Sequence, residues 1–428
     1  MLKALGNAWS VPDLRRKLLF TLAIIALYRL GSYVPLPGVN REALGSIGGD
    51  GNAFTNLFGA FTGGAFNNLA IFSLGIMPYI TASIVMQLLT VAVPRLQELA
   101  KEGETGQQKV TQYTRIFTLG LAIIQSLAML LYFRSSGTGV LNGATIIDNY
   151  LIVITLTAGT MLIMWLGELI SQRGLGNGIS LIISAAILSR APSAISSLIE
   201  SGNVLNIAIL AVLAVLIIAA IVFVNEGQRR IPITYAKRQV GRRMSQGGTT
   251  YLPLKVNMAG VIPIIFASSL LIFPIALAQF AGNDPNSILG RVAAYFAPGS
   301  APYLILFGLL VLMFTYFYTA VQFNPVEHAD NLKKSGGYIP GIRPGQPTAL
   351  YLNNVLTRIT LFGALFLAVV ALMPWVISGA LNLPNAIGIG GTSILIVVGV
   401  SLDTVRQLES QLMMRNYEGF LKRRQQQR

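Results

Sequence analysis

LGIMPYITAS, residues 74–83, is the stretch on which the fold depends, because a second version of it, AGVIPIIFAS, occupies residues 259–268. Aligned without gaps, the two copies share Gly75/Gly260, Pro78/Pro263, Ile80/Ile265, Ala82/Ala267 and Ser83/Ser268. Glycine and proline weaken the backbone hydrogen bonding of a membrane helix, which is tolerated where the helix lines a cavity. Paired interruptions therefore indicate a transport path, although these residues are common in membranes and a chance match is the alternative.

The composition is that of a polytopic membrane protein. Of 428 residues, 53% are hydrophobic and only 11% are charged, whereas soluble proteins carry about 25% charged residues. The net charge of +15 means that the exposed parts are basic, which favours anionic lipid, RNA or an acidic protein as contacts. The absence of cysteine excludes disulfides, zinc–cysteine sites, iron–sulfur clusters and thiol catalysis.

Ten apolar segments are each near the roughly 20 residues that a bilayer requires. These predicted spans are residues 18–34, 69–93, 116–133, 150–170, 179–198, 207–224, 258–280, 303–323, 359–377 and 386–402. Arg190 and Pro192 are expected to interrupt the fifth span near its end. The stretch 54–68 is rich in Gly, Asn and Phe, and it is predicted to be re-entrant because it is too polar to span.

Lysine and arginine are distributed unevenly between the two sides of the predicted spans. The N-terminus, every second loop and the C-terminal tail hold 26 of the 31 basic residues. The other side holds Arg29, Arg41, Arg134, Arg190 and Arg291. Because basic residues favour the cytoplasmic side of a membrane, both termini are predicted to be cytoplasmic.

The two Gly/Pro copies lie in predicted spans two and seven, which are five spans apart. An odd offset means that the two spans cross in opposite directions, which indicates an inverted-topology repeat. The sequence predicts an all-α membrane protein of two five-helix halves, residues 1–200 and 201–428. Two cytoplasmic loops, loop 6/7 (225–256) and loop 8/9 (324–358), and a tail (403–428) complete it.

Ionisable residues inside the membrane would indicate an ion-coupled transporter, and they are scarce. Arg29, Glu168, Arg190 and Asp403 lie near span ends, where snorkelling suffices. The uncharged polar residues are Gln87, Gln125 and Asn257. Interhelical hydrogen bonding is the simpler interpretation of each, whereas together they could form a closable seam.

Isoleucines recur four residues apart, as Ile76 and Ile80 in span two and as Ile183 and Ile187 in span five. Residues at this spacing share one helix face. Contact with lipid is the ordinary role of such a face. Beside Gly/Pro interruptions it could instead form an apolar constriction that gates by excluding water.

Enzyme motifs are missing from the predicted spans. The sole histidine, His328, lies in loop 8/9, which excludes a histidine-paired nucleophile or an HExxH zinc site in the membrane. No GxxxxGK[ST] motif is present, so no cofactor or nucleotide site is predicted and any chemical energy must come from a partner.

Two loops on the predicted cytoplasmic side are unusually long and basic. Loop 6/7 alternates Ile231, Ile233 and Tyr235 with polar residues, which predicts a projecting hairpin. Together the loops suggest a platform for a large anionic partner. A secondary transporter, with midplane charges and compact loops, and a membrane-anchored scaffold without Gly/Pro pairs are the alternatives. The basic residues of the platform are Arg229, Arg230, Lys237, Arg238, Arg242, Arg243, Lys333, Lys334 and Arg343.

Seven motifs in order resemble the SecY family, the channel subunits of the bacterial Sec protein translocase, over essentially the whole chain. They are LGIMPYITASI (74–84), KEGETGQQKVTQYTR (101–115), GLGNGIS (174–180), NEGQRRIPITYAKRQ (225–239), LPLKVNMAGVIPIIFASS (252–269), NPVEHADNLKKSGGYIPGIRPG (324–345) and QLMMRNYEGFLK (411–422).

The resemblance implies a protein-conducting channel in the bacterial plasma (inner) membrane, with an hourglass pore between the halves. It implies SecE and SecG as partner subunits, the SecA ATPase or the ribosome with its rRNA on the basic loops, signal sequences and nascent polypeptides in the pore, and surrounding membrane lipids. His328 stands where an apolar residue is common in the family, and Asn68 stands where some members carry a basic residue.

The resemblance also implies three sets of site residues. The implied pore ring is Ile76, Ile80, Ile183, Ile187, Ile265 and Ile396. The implied plug is Thr62, Gly63, Gly64, Ala65, Phe66, Asn67 and Asn68. The implied lateral gate opens between spans two/three and seven/eight, and its polar cluster is Gln87, Gln125 and Asn257.

Overall fold

The architecture of the described membrane segments is mainly helical. The computed structural model describes residues 9, 11–39, 59, 61–135, 146–200, 204–235, 239–240, 243–244, 248–280, 299–381 and 391–426. Its helices are α1 (Pro12–Gly31), α2 (Met77–Ala92), α3 (Pro94–Lys101), α4 (Glu104–Ser135), α5 (Ile146–Arg173), α6 (Gly178–Glu200), α7 (Val204–Glu226), α8 (Ile262–Phe280), α9 (Ala301–Gln322), α10 (Pro325–Lys334), α11 (Gln346–Leu381) and α12 (Gly391–Gln426).

Each predicted span is occupied by one long helix, and α3 and α10 are short helices outside the spans. On length and composition alone, five helices among the described residues could cross a membrane, or six if the bent pair α2 and α3 is one span. The prediction of a polytopic helical membrane protein is confirmed.

Several helices extend well beyond the apolar segments that predicted them. Helix α4 begins at Glu104, α11 begins at Gln346, and α12 continues to Gln426. A hydropathy criterion detects only the part of a helix that lies in lipid, whereas helical hydrogen bonding continues into polar sequence. The interruption expected near the end of the fifth span is wrong, because α6 continues through Pro192 to Glu200.

The second predicted span is shorter than its apolar sequence. Residues 69–76 form turns, and α2 begins only at Met77. The helix ends at Ala92, and α3 then departs at an angle of 99°. Helix α8 likewise begins at Ile262, four residues after the predicted start of span seven at residue 258. The Gly/Pro copies therefore start two helices and do not bend them.

Glycine and proline have the same roles in both copies. Gly75 and Gly260 have φ angles of 57° and 64°, a left-handed conformation that glycine adopts without steric cost. Pro78 and Pro263 are each the second residue of the following helix. Proline is tolerated there because the first-turn N–H groups have no helical acceptor.

The repeat extends to equivalent hydrogen bonds. Ile71 and Val256 each lie four residues before the glycine of their copy. The Ile71 N–H donates to the Val34 carbonyl at 2.9 Å, and the Val256 N–H donates to the Gly227 carbonyl at 2.9 Å. In both halves, the chain that enters the motif is thus paired with the residue just after the preceding long helix.

Loop 6/7 forms the hairpin that its alternating sequence predicted. Strand β1 (Gln228–Tyr235) pairs antiparallel with β4 (Thr249–Lys255), with Ile231 opposite Leu252. Between them lie β2 (Gln239–Val240) and β3 (Arg243–Met244), which pair with each other.

A short strand from loop 8/9, β5 (Gly337–Tyr338), pairs with the other edge of β1, so the sheet order is β4-β1-β5. Side chains from both loops and from the adjoining helices form one apolar core beneath the sheet. Its buried members are Ile231, Leu254, Phe323, Ile339, Leu352 and Leu356. The two basic loops are therefore one folded unit.

One large apolar cluster fills the centre of the molecule. All ten long helices contribute buried side chains to it, for example Ile24 from α1, Ile183 from α6 and Leu395 from α12. This cluster contains the Gly/Pro copies and the residues that the sequence analysis assigned to the pore.

Candidate functional site

The two Gly/Pro copies lie in the protein interior. Pro78 and Pro263 are buried, and Ala82 and Ala267 have no exposed surface. Helix α8 packs against both α2 and α4. Non-helical backbone at membrane depth is tolerated only where protein or a cavity surrounds it, and these turns satisfy that requirement.

The six isoleucines assigned to the pore ring belong to the central cluster or pack against it. Five of them are at most 5% exposed, namely Ile76, Ile80, Ile183, Ile265 and Ile396. Ile187 is half-buried and packs against the same cluster. By contrast, Ile116 and Ile154 are 68% and 62% exposed on the outer faces of α4 and α5. Contact with lipid, the ordinary role of a membrane isoleucine, is thus not the role of these six.

The stretch assigned to the plug packs into the same cluster. Thr62 and Ala65 are fully buried and Phe66 is 2% exposed. The Phe66 ring lies 5.8 Å from that of Phe133 in α4. Of the predicted re-entrant stretch, residues 54–58 and 60 lie outside the described residues.

Two helices hold the plug backbone through side chains. Arg29 of α1 donates from Nη1 to the Gly63 carbonyl at 2.9 Å, and the Tyr28 hydroxyl donates to the Thr62 carbonyl at 3.3 Å. Ser189 of α6 donates to the same Gly63 carbonyl at 3.3 Å. Backbone carbonyls within turns have no helical donor, so Arg29 and Ser189 supply hydrogen bonds to the Gly63 carbonyl, whereas the Thr62 carbonyl also accepts from the Ala65 N–H at 3.3 Å.

The snorkelling role predicted for Arg29 and Arg190 is incomplete. Arg29 binds the plug, and a Cβ placed on Gly59 would lie 3.0 Å from Nη1 of Arg190. Two of the five arginines on the side opposite to the basic loops therefore lie against the predicted re-entrant stretch, Arg29 at Gly63 and Arg190 at Gly59. The sequence signal was that each is a lone cation near the end of a predicted span.

We expect Gly75→Ala to loosen the plug, whereas Gly260→Ala should not. Each substitution forces alanine into a left-handed conformation at a cost of about 1–2 kcal/mol. Only at Gly75 would the new Cβ also meet the plug, 2.9 Å from Cγ2 of Thr62, since among described residues nothing lies within 4 Å of a Cβ on Gly260.

The measurement is thiol labelling of an Asn67→Cys reporter in the cysteine-free chain. Labelling should be faster with Gly75→Ala than with Gly260→Ala, and adding Thr62→Ser, which removes the crowded methyl group, should abolish the difference. Equal labelling in both alanine variants would contradict the contact.

The three polar residues assigned to the lateral gate are incompletely paired. Gln87 lies on α2, Gln125 on α4, and Asn257 just before α8. Each has a buried side-chain oxygen that has no hydrogen-bond partner among the described residues, and the hydroxyl of Ser269 on α8 shares this property. Sequence reasoning missed Ser269, because a serine in an apolar helix usually bonds to its own backbone.

Glu168 was also assigned to snorkelling, and the structure pairs it instead. Arg115 of α4 binds Glu168 of α5 through two hydrogen bonds, of which the Nε–Oε1 bond measures 2.9 Å. The Glu168 side chain is only 15% exposed. A bidentate pair of this kind fixes the relative position of two helices.

The sheet brings together the basic residues of the two loops. Thr234 pairs with Tyr338 and Tyr235 with Gly337, so β1 and β5 are adjacent. The platform residues whose side chains the structure describes are exposed, as is Lys255 of β4, which the sequence analysis did not assign to the platform. These platform residues are Arg229, Arg230, Lys333, Lys334 and Arg343. Lys237, Arg238 and Arg242 lie outside the described residues, as does the side chain of Arg243.

His328 belongs to the folded part of this unit. It lies on α10, and its ring stacks on Phe323 at a centroid distance of 4.2 Å and an angle of 14°. The imidazole therefore has the packing role that an apolar residue could also fill.

Comparison with known proteins places this arrangement in a family. The SecY family model matches residues 70–405. The chain is 47% identical to the protein translocase subunit SecY of Streptomyces galbus over 438 residues, which cover 99% of this chain and 100% of the relative. The chain belongs to the SecY family.

Solved SecY-family structures agree with this fold. One, described by the role of its plug domain in stabilising the closed translocation channel, matches with a TM-score of 0.63 and 18% identity over 92% of this chain and 91% of the other. Canine Sec61 in a ribosome–channel complex matches with a TM-score of 0.61 and 17% identity, over 92% of this chain and 91% of the other.

Membership of the SecY family decides between the classes that the sequence left open. The chain is a multi-pass subunit of a protein translocase, a protein-conducting channel and not an enzyme. The alternatives of a substrate-coupled transporter and of a membrane-anchored scaffold are excluded.

Proposed function

We propose that this channel moves secretory proteins across a bacterial plasma membrane through a ring of six isoleucines, and that it releases membrane-protein segments sideways into the lipid. The observation that carries the proposal is the burial of Ile76, Ile80, Ile183, Ile265 and Ile396 in one cluster with Ala65 and Phe66 of the plug. This arrangement is the resting, closed conformation of the hourglass pore.

The chemistry of the ring suits a substrate of any sequence. Branched apolar side chains exclude water and ions from a narrow passage without an ionisable group. They also contact an extended polypeptide without forming specific hydrogen bonds to it, so no particular side chain is retained. The hydrogen bonds from Arg29 and Ser189 hold the plug until a substrate displaces it.

The lateral gate lies between α2 and α4 on one side and α8 and α9 on the other. Helix α8 packs on α2 and α4, and the orphaned oxygens of Gln87, Gln125 and Asn257 belong to these elements. An unsatisfied buried polar group costs about 1–3 kcal/mol. Opening the seam to water relieves that cost, so the closed seam is only marginally more stable than the open one. An apolar signal sequence can therefore separate the helices.

The platform of the two loops receives a large cytoplasmic partner. Exposed Arg229, Lys334 and Arg343 surround the sheet, and cationic clusters bind RNA phosphates or acidic protein surfaces. The canine Sec61 relative occurs in a ribosome–channel complex, which supports ribosomal RNA as one partner. The SecA ATPase would supply energy, and SecE and SecG would complete the complex within the membrane lipids.

Orientation follows from the distribution of charge. With 26 of 31 basic residues on one side, both termini lie in the cytoplasm. The two halves, 1–200 and 201–428, move against each other at the seam. The equivalent hydrogen bonds of Ile71 and Val256 support this division.

Crosslinking tests the path directly. A photoreactive amino acid at Ile80 should crosslink to a secretory chain stalled in the channel, because Ile80 lies in the ring. The matched control is Ile116 on α4, which is 68% exposed and should crosslink to lipid but not to the chain. A stalled chain that reacts at Ile116 and not at Ile80 would refute the proposed path.

A further inference from the structure

Three polar residues from separate elements are joined at the base of the β1–β4 hairpin. Asn225 is the penultimate residue of α7, Asn257 follows β4 by two residues, and Arg406 lies within α12. The Nδ2 group of Asn257 donates to Oδ1 of Asn225 at 2.9 Å. Arg406 donates from Nη2 to the backbone carbonyl of Asn225 at 2.8 Å. None of these contacts is part of the ring, the plug or the docking platform.

Arg406 fixes the end of α7. The carbonyl of Asn225 belongs to the last turn of that helix, where carbonyls have no helical donor and carry the negative end of the helix dipole. The same Nη2 group lies 2.9 Å from the Oε1 of Glu226. A cation that contacts both groups holds the last turn of α7 against α12.

Asn257 continues the connection into the second Gly/Pro copy. Its Nδ2 group also donates to the Gly260 carbonyl at 3.1 Å, within the left-handed turn that precedes α8 by one residue. Asn257 is 5% exposed, and its Oδ1 atom has no partner among the described residues. The side-chain amide of Asn257 thus joins the end of α7 to the turn that precedes α8.

Two glycines enclose the same turn. A Cβ on Gly363 of α11 would collide with the Val256 carbonyl, and a Cβ on Gly399 of α12 would lie 2.7 Å from Cγ1 of Val261. The turn from Val256 to Val261 is therefore packed tightly against α11 and α12. A displacement of the hairpin base meets α11 and α12 on these two sides of the turn, which favours its transmission along the chain to α8.

Among the described residues of the other half, the equivalent position is apolar. Phe72 occupies the position equivalent to Asn257, three residues before the glycine of its copy. It packs against α1 at Gly31, and its ring stacks on Tyr28 at 5.7 Å. At this position the first copy is held by aromatic packing, whereas the second is held by the hydrogen bonds of Asn257.

We propose that Arg406, Asn225 and Asn257 form a polar latch that couples the base of the hairpin to the start of α8 and so holds the gate closed at rest. A partner that pulls on the hairpin or on α12 strains the latch, releases the Gly260 turn, and lets α8 move away from α2. Arg406 and Asn225 are positioning residues, since they act on the gate through Asn257. The proposal rests on the proposed function of α2 and α8 as the two sides of the gate.

The test compares two secretory substrates in membrane vesicles that contain the complete translocase. One substrate has an intact signal sequence, and the other has a signal sequence weakened by two polar substitutions. Arg406→Gln should raise translocation of the weakened substrate by about five- to tenfold, the effect of one charge-assisted hydrogen bond lost from the closed state. Asn225→Ala removes the neutral hydrogen bond from Asn257 and should raise it by about two- to tenfold. Translocation of the intact substrate should change by less than about twofold, since opening does not limit it.

Controls separate gating from a loss of structure. Arg358→Gln alters an exposed arginine on α11 outside the latch and should affect neither substrate. Arg406→Lys retains the charge and should keep most of the difference in translocation between the intact and the weakened substrate. In the double variant Arg406→Gln/Asn225→Ala, the effect should not exceed the larger single effect, because both residues act through one connection.

The possible outcomes distinguish the latch from the channel itself. If latch variants behave as the unmodified protein while serine variants of the isoleucine ring leak ions, the channel stands and the latch is refuted. If the latch variants impair both substrates equally, Arg406 is merely structural and the proposal is again overturned. If neither the latch variants nor the ring variants alter the channel, the proposed gate itself is wrong.

Discussion

Replacing Ile76, Ile183 and Ile265 together with serine is expected to raise the resting ion conductance of the channel by at least about tenfold. Burying an isoleucine side chain contributes about 1.5–3 kcal/mol to the stability of the closed ring. Lowering the barrier to ion passage by only about 1.4 kcal/mol makes that passage tenfold faster. All three side chains are at most 5% exposed and come from the turn before α2, from α6 and from α8. Their hydroxyl replacements would admit water into the closed waist. The measurement is conductance across a planar bilayer that contains the translocase without substrate.

The matched control places the same three substitutions on the outer surface. Ile116, Ile154 and Ile305 are 68%, 62% and 71% exposed, so their serine variants should not leak. A triple valine variant of the ring keeps branched apolar side chains and should remain close to sealed. A serine variant of the ring that is folded, that still translocates substrate and that conducts no more ions than the unmodified protein would rule out the gate.

Charge reversal of Arg229, Lys334 and Arg343 to glutamate is expected to weaken binding of the cytoplasmic partner by at least about tenfold at low salt, or about 1.4 kcal/mol. One residue comes from each of the elements that meet at the sheet, namely β1, α10 and the turn after β5. For a ribosomal partner, each lost phosphate contact should also reduce the slope of log affinity against log salt concentration by about 0.9. Titration of ribosomes onto channel vesicles at several salt concentrations measures both quantities.

Three other basic residues on the same predicted side provide the control. Arg95, Lys101 and Arg173 are exposed and lie outside the platform, so their reversal alters the net charge equally. A specific docking site predicts a much smaller effect from this second set. Equal weakening by both sets would indicate attraction by the overall electrostatic field of the protein, and it would contradict a specific docking site.

The isoleucine ring illustrates where sequence reasoning succeeded and where it ended. Spacing placed Ile183 and Ile187 on one helix face, and family resemblance added Ile265 and Ile396. The side chains of Ile116 and Ile154 have the same chemistry, yet they face outwards. Whether a face is directed towards lipid or protein depends on which helices are its neighbours, and local sequence does not encode that information.

The Gly/Pro copies show a second kind of limit. Their sequence indicated irregular backbone at equivalent positions of two inverted halves, and the structure has it there. The interpretation as interruptions within helices was wrong, because each helix starts at the motif. Apolar residues 69–76 satisfied the hydropathy pattern of a span, although they form turns. Arg29 does not contact these turns directly, because its hydrogen bond is to Gly63 of the adjoining plug.

The sequence by itself determined the membrane class, the ten apolar segments, the asymmetry of charge and the inverted repeat, because each of these depends on composition and order along the chain. It also indicated the hairpin, since alternation over a few residues is a local property. Only the tertiary structure decided that Arg29 binds the plug, that β5 joins the two basic loops, and that Arg406 reaches the base of the hairpin. These contacts join residues that are between 34 and 181 positions apart, and only the packing of the helices brings such residues together.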